Sequence, residues 1–147
     1  MTPTMKLLVI PFDSPHYQQA WELRERVLRA PLGLSLQAEE RKAEAQHFHF
    51  GLFDDHENLL ACVSAVPLNN GRVKIRQMAV DPDIQGRGAG RQLMTMMEQC
   101  LSAKGYDHFY MHARISARGF YEKLGYSAAG PEFEEVSVPH VKMCKAL

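Results

Sequence analysis

The 147-residue sequence predicts one α/β domain built on a mixed, mostly antiparallel sheet with a central parallel strand pair and flanking helices. Three observations lead there. Apolar stretches over 47–53, 59–68 and 73–80, separated by short turns, read as an antiparallel meander. The run Gln85-Gly86-Arg87-Gly88-Ala89-Gly90 then divides the last of them from a long amphipathic pattern. Beyond that pattern a further extended stretch, 107–113, completes a strand–helix–strand unit, so 73–80 and 107–113 become parallel neighbours.

Lys6 to Phe12 reads as the first strand, and Asp13-Ser14-Pro15 offers an N-cap followed by a proline at the first helical position. A helix is expected from His16 to Arg29. Ala20, Leu23, Val27 and Leu28 mark its apolar face, with Glu22, Arg24, Glu25 and Arg26 opposite, and Pro31 ends it. A short charged helix is expected between Ser35 and Ala45, with Glu39 to Glu44 facing solvent and a capping box at Ser35/Glu39 one residue out of register. In the strand 47–53, Phe48, Phe50 and Leu52 alternate with His47, His49 and Gly51, which places the two histidines on a solvated face.

Asp54 to Asn58 forms a turn, and Asn69-Asn70-Gly71 is a hairpin signal. After the glycine run, Gly90, Leu93, Met94, Met97 and Leu101 line one side of a helix that stops at Lys104-Gly105. His108, Tyr110 and His112 share one face of the next strand. A short helix over Ser116 to Lys123, closed by Gly125, and two strands, 126–130 and 137–146, finish the chain.

The chain carries seventeen basic and seventeen acidic residues and no net formal charge, so no global field favours a nucleic acid or an anionic membrane. No window approaches the roughly 18 apolar residues needed to cross a bilayer, and Met1 to Pro11 lacks the order of a signal peptide. A cytoplasmic address is expected. Cys62, Cys100 and Cys144 are odd in number and widely spaced, as reduced core thiols are. His47 and His49 have no nearby partners to complete a tetrahedral set, so no metal is expected.

The glycine run presents bare backbone N–H groups at a helix N-terminus, where polypeptide readily holds a diphosphate. No Lys-Ser or Lys-Thr follows the last glycine, which removes the side chains of a P-loop. A dinucleotide fingerprint would open the first βαβ unit and want an acidic ribose partner about 20 residues on. Only Asp107 keeps that alternative open.

Met78-Ala79-Val80-Asp81-Pro82, the Q-x-x-G-x-G/A form of 85–90, and Phe120-Tyr121-Glu122-Lys123-Leu124-Gly125-Tyr126, taken in this order, resemble the GNAT superfamily of N-acetyltransferases. Glu134-Glu135 ahead of Pro139-His140 is similar to the ElaA-like branch. The resemblance implies a GNAT-like fold, acetyl-CoA as donor and an amine acceptor. It implies that the main chain of Gln85, Gly86, Arg87, Gly88, Ala89 and Gly90 holds the diphosphate, with Arg87 and Arg91 as added cations. Met78, Ala79 and Val80 would pair with the pantetheine arm, Phe120 and Tyr121 would flank the thioester, and the N–H of Val80 or Ala79 would take the oxyanion. Tyr121 would be the general acid to the departing thiolate. One departure is Arg114, where many members have asparagine; a longer cation there can still reach the donor or a substrate carbonyl.

The base stays open among His140, His112, Glu134, Glu135 and a water chain, with His140 placed first because histidine suits proton transfer at neutral pH. Against the transferase stands a non-catalytic acyl-CoA-binding or regulatory domain. The acceptor's identity is not written in the sequence, and homodimerisation through an exposed C-terminal strand is left open.

Overall fold

In the computed structural model, which describes residues 5–147, eight strands share one sheet. The first four residues of the expected 1–147 domain lie outside the described residues. The strands are β1 (Lys6–Val9), β2 (Phe48–Phe53), β3 (Leu59–Pro67), β4 (Arg72–Val80), β5 (His108–Arg114), β6 (Ser127–Ala128), β7 (Phe133–Glu135) and β8 (Val138–Ala146). Their order is β1-β2-β3-β4-β5-β8-β6, with β7 paired to β8. Among the described residues only β4 and β5 are parallel; the other pairings are antiparallel. The β3–β4 turn follows the hairpin rule: Asn70 and Gly71 both take left-handed φ, 62° and 71°.

Helix α1 (Pro15–Arg24) starts as expected, with the Ser14 hydroxyl accepting from the Tyr17 N–H at 3.1 Å. It does not remain α-helical to Arg29. The last stretch, Glu25–Arg29, is a π-helical turn, a widening that often marks functional sites, and Pro31 lies in the 3-10 turn that follows. Helix α2 (Ala38–Ala43) is shorter than expected and begins at Gln37 without a side-chain cap, so the out-of-register box at Ser35 does not form. Helix α3 (Ala89–Ser102) carries the crossover, and α4 is Arg118–Lys123.

Two apolar clusters cover the two faces of the sheet. One joins Leu93, Met94, Met97 and Leu101 of α3 to Val73, Ile75, Phe109 and Met111. The other joins Tyr17, Ala20 and Leu23 of α1 to Phe53, Cys62 and Ala79. Because α1 covers only the β1–β4 half, the face of β5 bearing Tyr110, His112 and Arg114 keeps these side chains half-buried instead of closed.

Three expectations about exposure are corrected together. Arg24, Glu44 and His49, read as solvent-facing, are 1%, 3% and 3% exposed. β2 is covered on both faces, so the alternation there is not inside against outside. Polar pairing makes the burial tolerable. The Arg24 guanidinium donates twice to Glu44, both at 2.6 Å, and Tyr17 Oη donates to the same carboxylate at 2.8 Å. His49 lies 2.9 Å from both Ser64 Oγ and the Glu44 carbonyl.

Candidate active site

The site begins with an extra residue. Cys62 faces Ala79 while Ser64 faces Arg76, so two steps along β3 oppose three along β4, a β-bulge centred on Gln77. Gln77 has φ 60°, and its amide is held by Arg24 Nε at 3.2 Å and by Glu40 at 3.4 Å. The bulge reverses the alternation. Val73 and Ile75 pack with the α3 cluster, as do Met78 and Val80, while Ala79 turns to the α1 cluster.

Beyond this point the parallel pair parts. β4 and β5 are in register only from Arg72 to Lys74 and from His108 to Tyr110, although both strands run on to Val80 and Arg114. The gap opens into a cleft of about 850 Å³ whose walls are the separated strand ends, the glycine turn, the π-helical turn and α4. Ala79 and Val80 pair with β3 on one side, and Met78, Ala79 and Val80 line the cleft on the other.

At the mouth, Gly86 and Gly88 take φ +85° and +79°, and a Cβ placed on either meets nothing within 4 Å. Gly88 is the N-cap of α3 and contributes no side-chain cap, so the first N–H groups of that helix are left for something else. Gly90 is different: a Cβ there would lie 3.1 Å from Phe120 Cζ, so the glycine lets the helix start sit against the aromatic ring. Room above the turn, donors at the helix start and a free strand edge suit a diphosphate joined to an extended arm. The residues present therefore fit an acyl-CoA.

Of the residues expected to hold the donor, Met78, Ala79, Val80, Gln85, Gly86 and Gly88 line the cleft, as do Ala89, Gly90, Arg91, Arg114 and Phe120. Arg87 is exposed and outside the lining. Asp107, the residue that kept a dinucleotide reading open, sits at the far end of β5, where its carboxylate meets His108 at 2.7 Å and packs by Gly71. It is not brought to the glycine turn.

Tyr121 is 7% exposed on the α4 wall, with Phe120 and Tyr126 edge-on to its ring. Burial pushes its hydroxyl up to about 12. It therefore stays protonated across the neutral range and can donate. Across the cleft, a carboxylate reaches two imidazoles: Glu135 Oε1 lies 2.9 Å from His112 Nδ1, and Oε2 lies 3.7 Å from His140 Nε2. His140 Nδ1 is 2.7 Å from the Val138 carbonyl. Carboxylate and carbonyl only accept, so each Nδ1 is the donor in its contact. Burial would raise the Glu135 carboxyl, but the hydrogen bond and charge from His112, with His140 and Lys74 nearby, outweigh it and hold the group below its ordinary value. Arg114 Nη2 donates across the cleft to the Leu28 carbonyl at 3.1 Å.

Glu135 arrives on β7, a strand absent from the sequence expectations. Its hairpin to β8 turns at Val136 and Ser137, both with positive φ, 46° and 63°, where the usual signal would be Asn-Gly. No sequence cue marked it.

Residues 25–147 match the family described as acetyltransferase (GNAT) domain. The chain belongs to the GNAT family. It is 28% identical over 138 residues to YitI, an uncharacterized N-acetyltransferase of Bacillus subtilis (strain 168), covering 88% of this chain and 91% of that one. A crystal structure from Lactobacillus plantarum, provisionally named an N-acetyltransferase, superposes with a TM-score of 0.85 at 25% identity, covering 98% and 99% of the two chains. An aminoglycoside 6'-N-acetyltransferase complexed with coenzyme A shares the fold, with a TM-score of 0.80 at 16% identity over 96% of each chain. With GNAT membership comes acyl-CoA-dependent N-acetyltransferase chemistry. Among the described residues no helix is long and apolar enough to cross a membrane.

Proposed function

We propose that this GNAT protein moves the acetyl group of acetyl-CoA directly to a primary amine in the cleft between β4 and β5. The observation that carries the reading is the parting of those strands after three paired residues, with an open glycine turn at one end and a buried, protonated tyrosine on the wall. The donor supplies an acyl thioester.

In this reading the N–H groups of Gly86, Gly88, Ala89 and Gly90 hold the diphosphate, while Gln85 borders it and Arg87 and Arg91 add charge from the surface. The cleft-facing edge of Met78, Ala79 and Val80 orients the pantetheine arm, and Phe120 excludes water beside it. The Val80 or Ala79 N–H receives the negative charge that develops on the carbonyl oxygen. Tyr121 Oη gives its proton to the sulfur. A hydroxyl at about 12 is a weaker acid than a free thiol near 8.5, but the burial that raises it acts on a thiolate formed beside it too.

The acceptor's proton leaves on the opposite side. His140 was the first candidate from residue type; the geometry favours His112, whose ring is fixed by Glu135 and whose side chain, 29% exposed, keeps contact with solvent. His140, 5% exposed, backs the same carboxylate. Of the residues on which the ElaA-like resemblance rests, Glu135 and His140 line the cleft.

The experiment is thiol release from acetyl-CoA with a panel of primary amines. Amine-dependent release that is lost in Tyr121→Phe supports transfer. Tight coenzyme A binding without release from any amine would instead favour the non-catalytic acyl-CoA-binding domain.

A further inference from the structure

The acceptor end of the cleft holds more positive charge than the protein neutralises. Lys74 and Arg76 alternate along β4 with Val73 and Ile75, which pack under α3, so both cations lie on the opposite, α1-side face. Arg114 and His112 lie on the same face of β5. All four are half-buried and line the cleft. Among the described residues Lys74, Arg76 and Arg114 have no carboxylate within ion-pair distance; Arg114 has only a backbone carbonyl. The acids nearby are engaged: Glu135 with His112 and His140, Glu40 with Arg29 and Gln77, Glu44 with Arg24. Lys142, exposed on β8 beside His112, adds another cation over the Tyr110 ring.

A half-buried cation without a partner carries a desolvation cost that a bound anion would remove. The phosphates of the donor do not answer the need. Four residues of strand, about 13 Å, separate Arg76 from Val80, and the glycine turn lies beyond Val80 and leads to α3 on the other face of the sheet. Burial and the neighbouring charge of Arg76 press the Lys74 ammonium below its ordinary value, with Glu135 opposing only in part.

Building on the transferase reading above, we infer that the acceptor is a small molecule bearing an anionic group, a carboxylate or a phosphate, as well as its amine. Lys74 and Arg76, with Arg114 beside them, hold the anion, and the amine turns toward His112 and Glu135. Lys74 and Arg76 are thus specificity-determining residues. A polycation would meet the same three charges as repulsion.

Matched acceptor pairs test this with acetyl-CoA and thiol release: β-alanine against β-alaninamide, phosphoethanolamine against ethanolamine, and spermidine as the cationic control. The anionic member of at least one pair is expected to show a kcat/KM tenfold or more above its neutral partner, and which pair does so separates carboxylate from phosphate. In Lys74→Gln/Arg76→Gln that ratio falls toward one while the coenzyme A dissociation constant holds. Equal or better use of the neutral amines or spermidine overturns the inference, as does failure of every anionic probe both to react and to bind the coenzyme A-loaded protein by calorimetry. The underlying transferase reading fails separately, by absence of coenzyme A binding or of release with any amine.

Discussion

Arg24 Nε lies 3.2 Å from Gln77 Oε1, so a buried guanidinium already paired twice with Glu44 also holds the bulged residue of β4 in its left-handed conformation. The ion pair supports the shape of the site from beneath. Three elements meet in it: α1 supplies Arg24, the segment after α2 supplies Glu44, and β4 supplies the bulge.

Removing one partner should therefore be costly. Glu44→Ala leaves the Arg24 charge buried and alone, with an expected loss of about 3–5 kcal/mol. Urea denaturation measures it, and Arg24→Met/Glu44→Leu should recover much of the loss. A loss under about 1 kcal/mol would show the pair to be dispensable.

The same carboxylate gives a sign for acid stability. Burial pushes Glu44 up, but Arg24's hydrogen bonds and charge, with the Tyr17 hydroxyl, outweigh it and leave the group below its ordinary 4.5. A depressed folded value means stability that is complete above that pH and lost as pH falls through the folded one. The urea midpoint of the wild type should drop on acidification below about pH 4.5 more steeply than that of Glu44→Gln.

The glycine turn was legible because glycine, Pro82 and the following helix leave a signature in one dimension, as do the hairpin glycine and the face of α3. The buried network was not. Arg24 and Glu44 carry the residue types of a solvated helix, and only the tertiary partner that each finds makes burial possible. Glu135 was hidden for another reason: a two-residue turn built from Val136 and Ser137 contradicts local preference and is imposed by the pairing of β7 with β8. The bulge at Gln77 likewise appears only when β3 and β4 are laid side by side.

Gly88→Val should separate folding from binding. A side chain at φ +79° costs about 1–2 kcal/mol. Lost main-chain contacts to a charged diphosphate, at about 1.5–3 kcal/mol, should weaken coenzyme A about 10–100-fold by calorimetry. An unchanged affinity would place the donor elsewhere.

Tyr121→Phe keeps the ring and its packing while removing the proton. Thiol-release kcat should fall about 10²–10⁴-fold with the coenzyme A dissociation constant held. Because burial takes the hydroxyl to about 12, its ionisation should cause no loss of activity up to about pH 10. Full turnover in the phenylalanine variant would remove Tyr121 from the chemistry.

The two histidines are told apart by comparing variants. His112→Gln should lower kcat about 10²-fold or more, and His140→Gln much less, with donor affinity kept in both. The reverse order would return the base to His140.

The most direct measurement is a titration of ¹⁵N-labelled protein with coenzyme A, followed by amide chemical shifts. The amides of Val80, Gly86, Gly88, Ala89 and Gly90 should move together and saturate, while those around the Lys6–Glu57 ion pair, outside the cleft lining, stay in place. Saturable shifts that leave the glycine turn untouched, or no shifts at all, would contradict the assignment of this cleft.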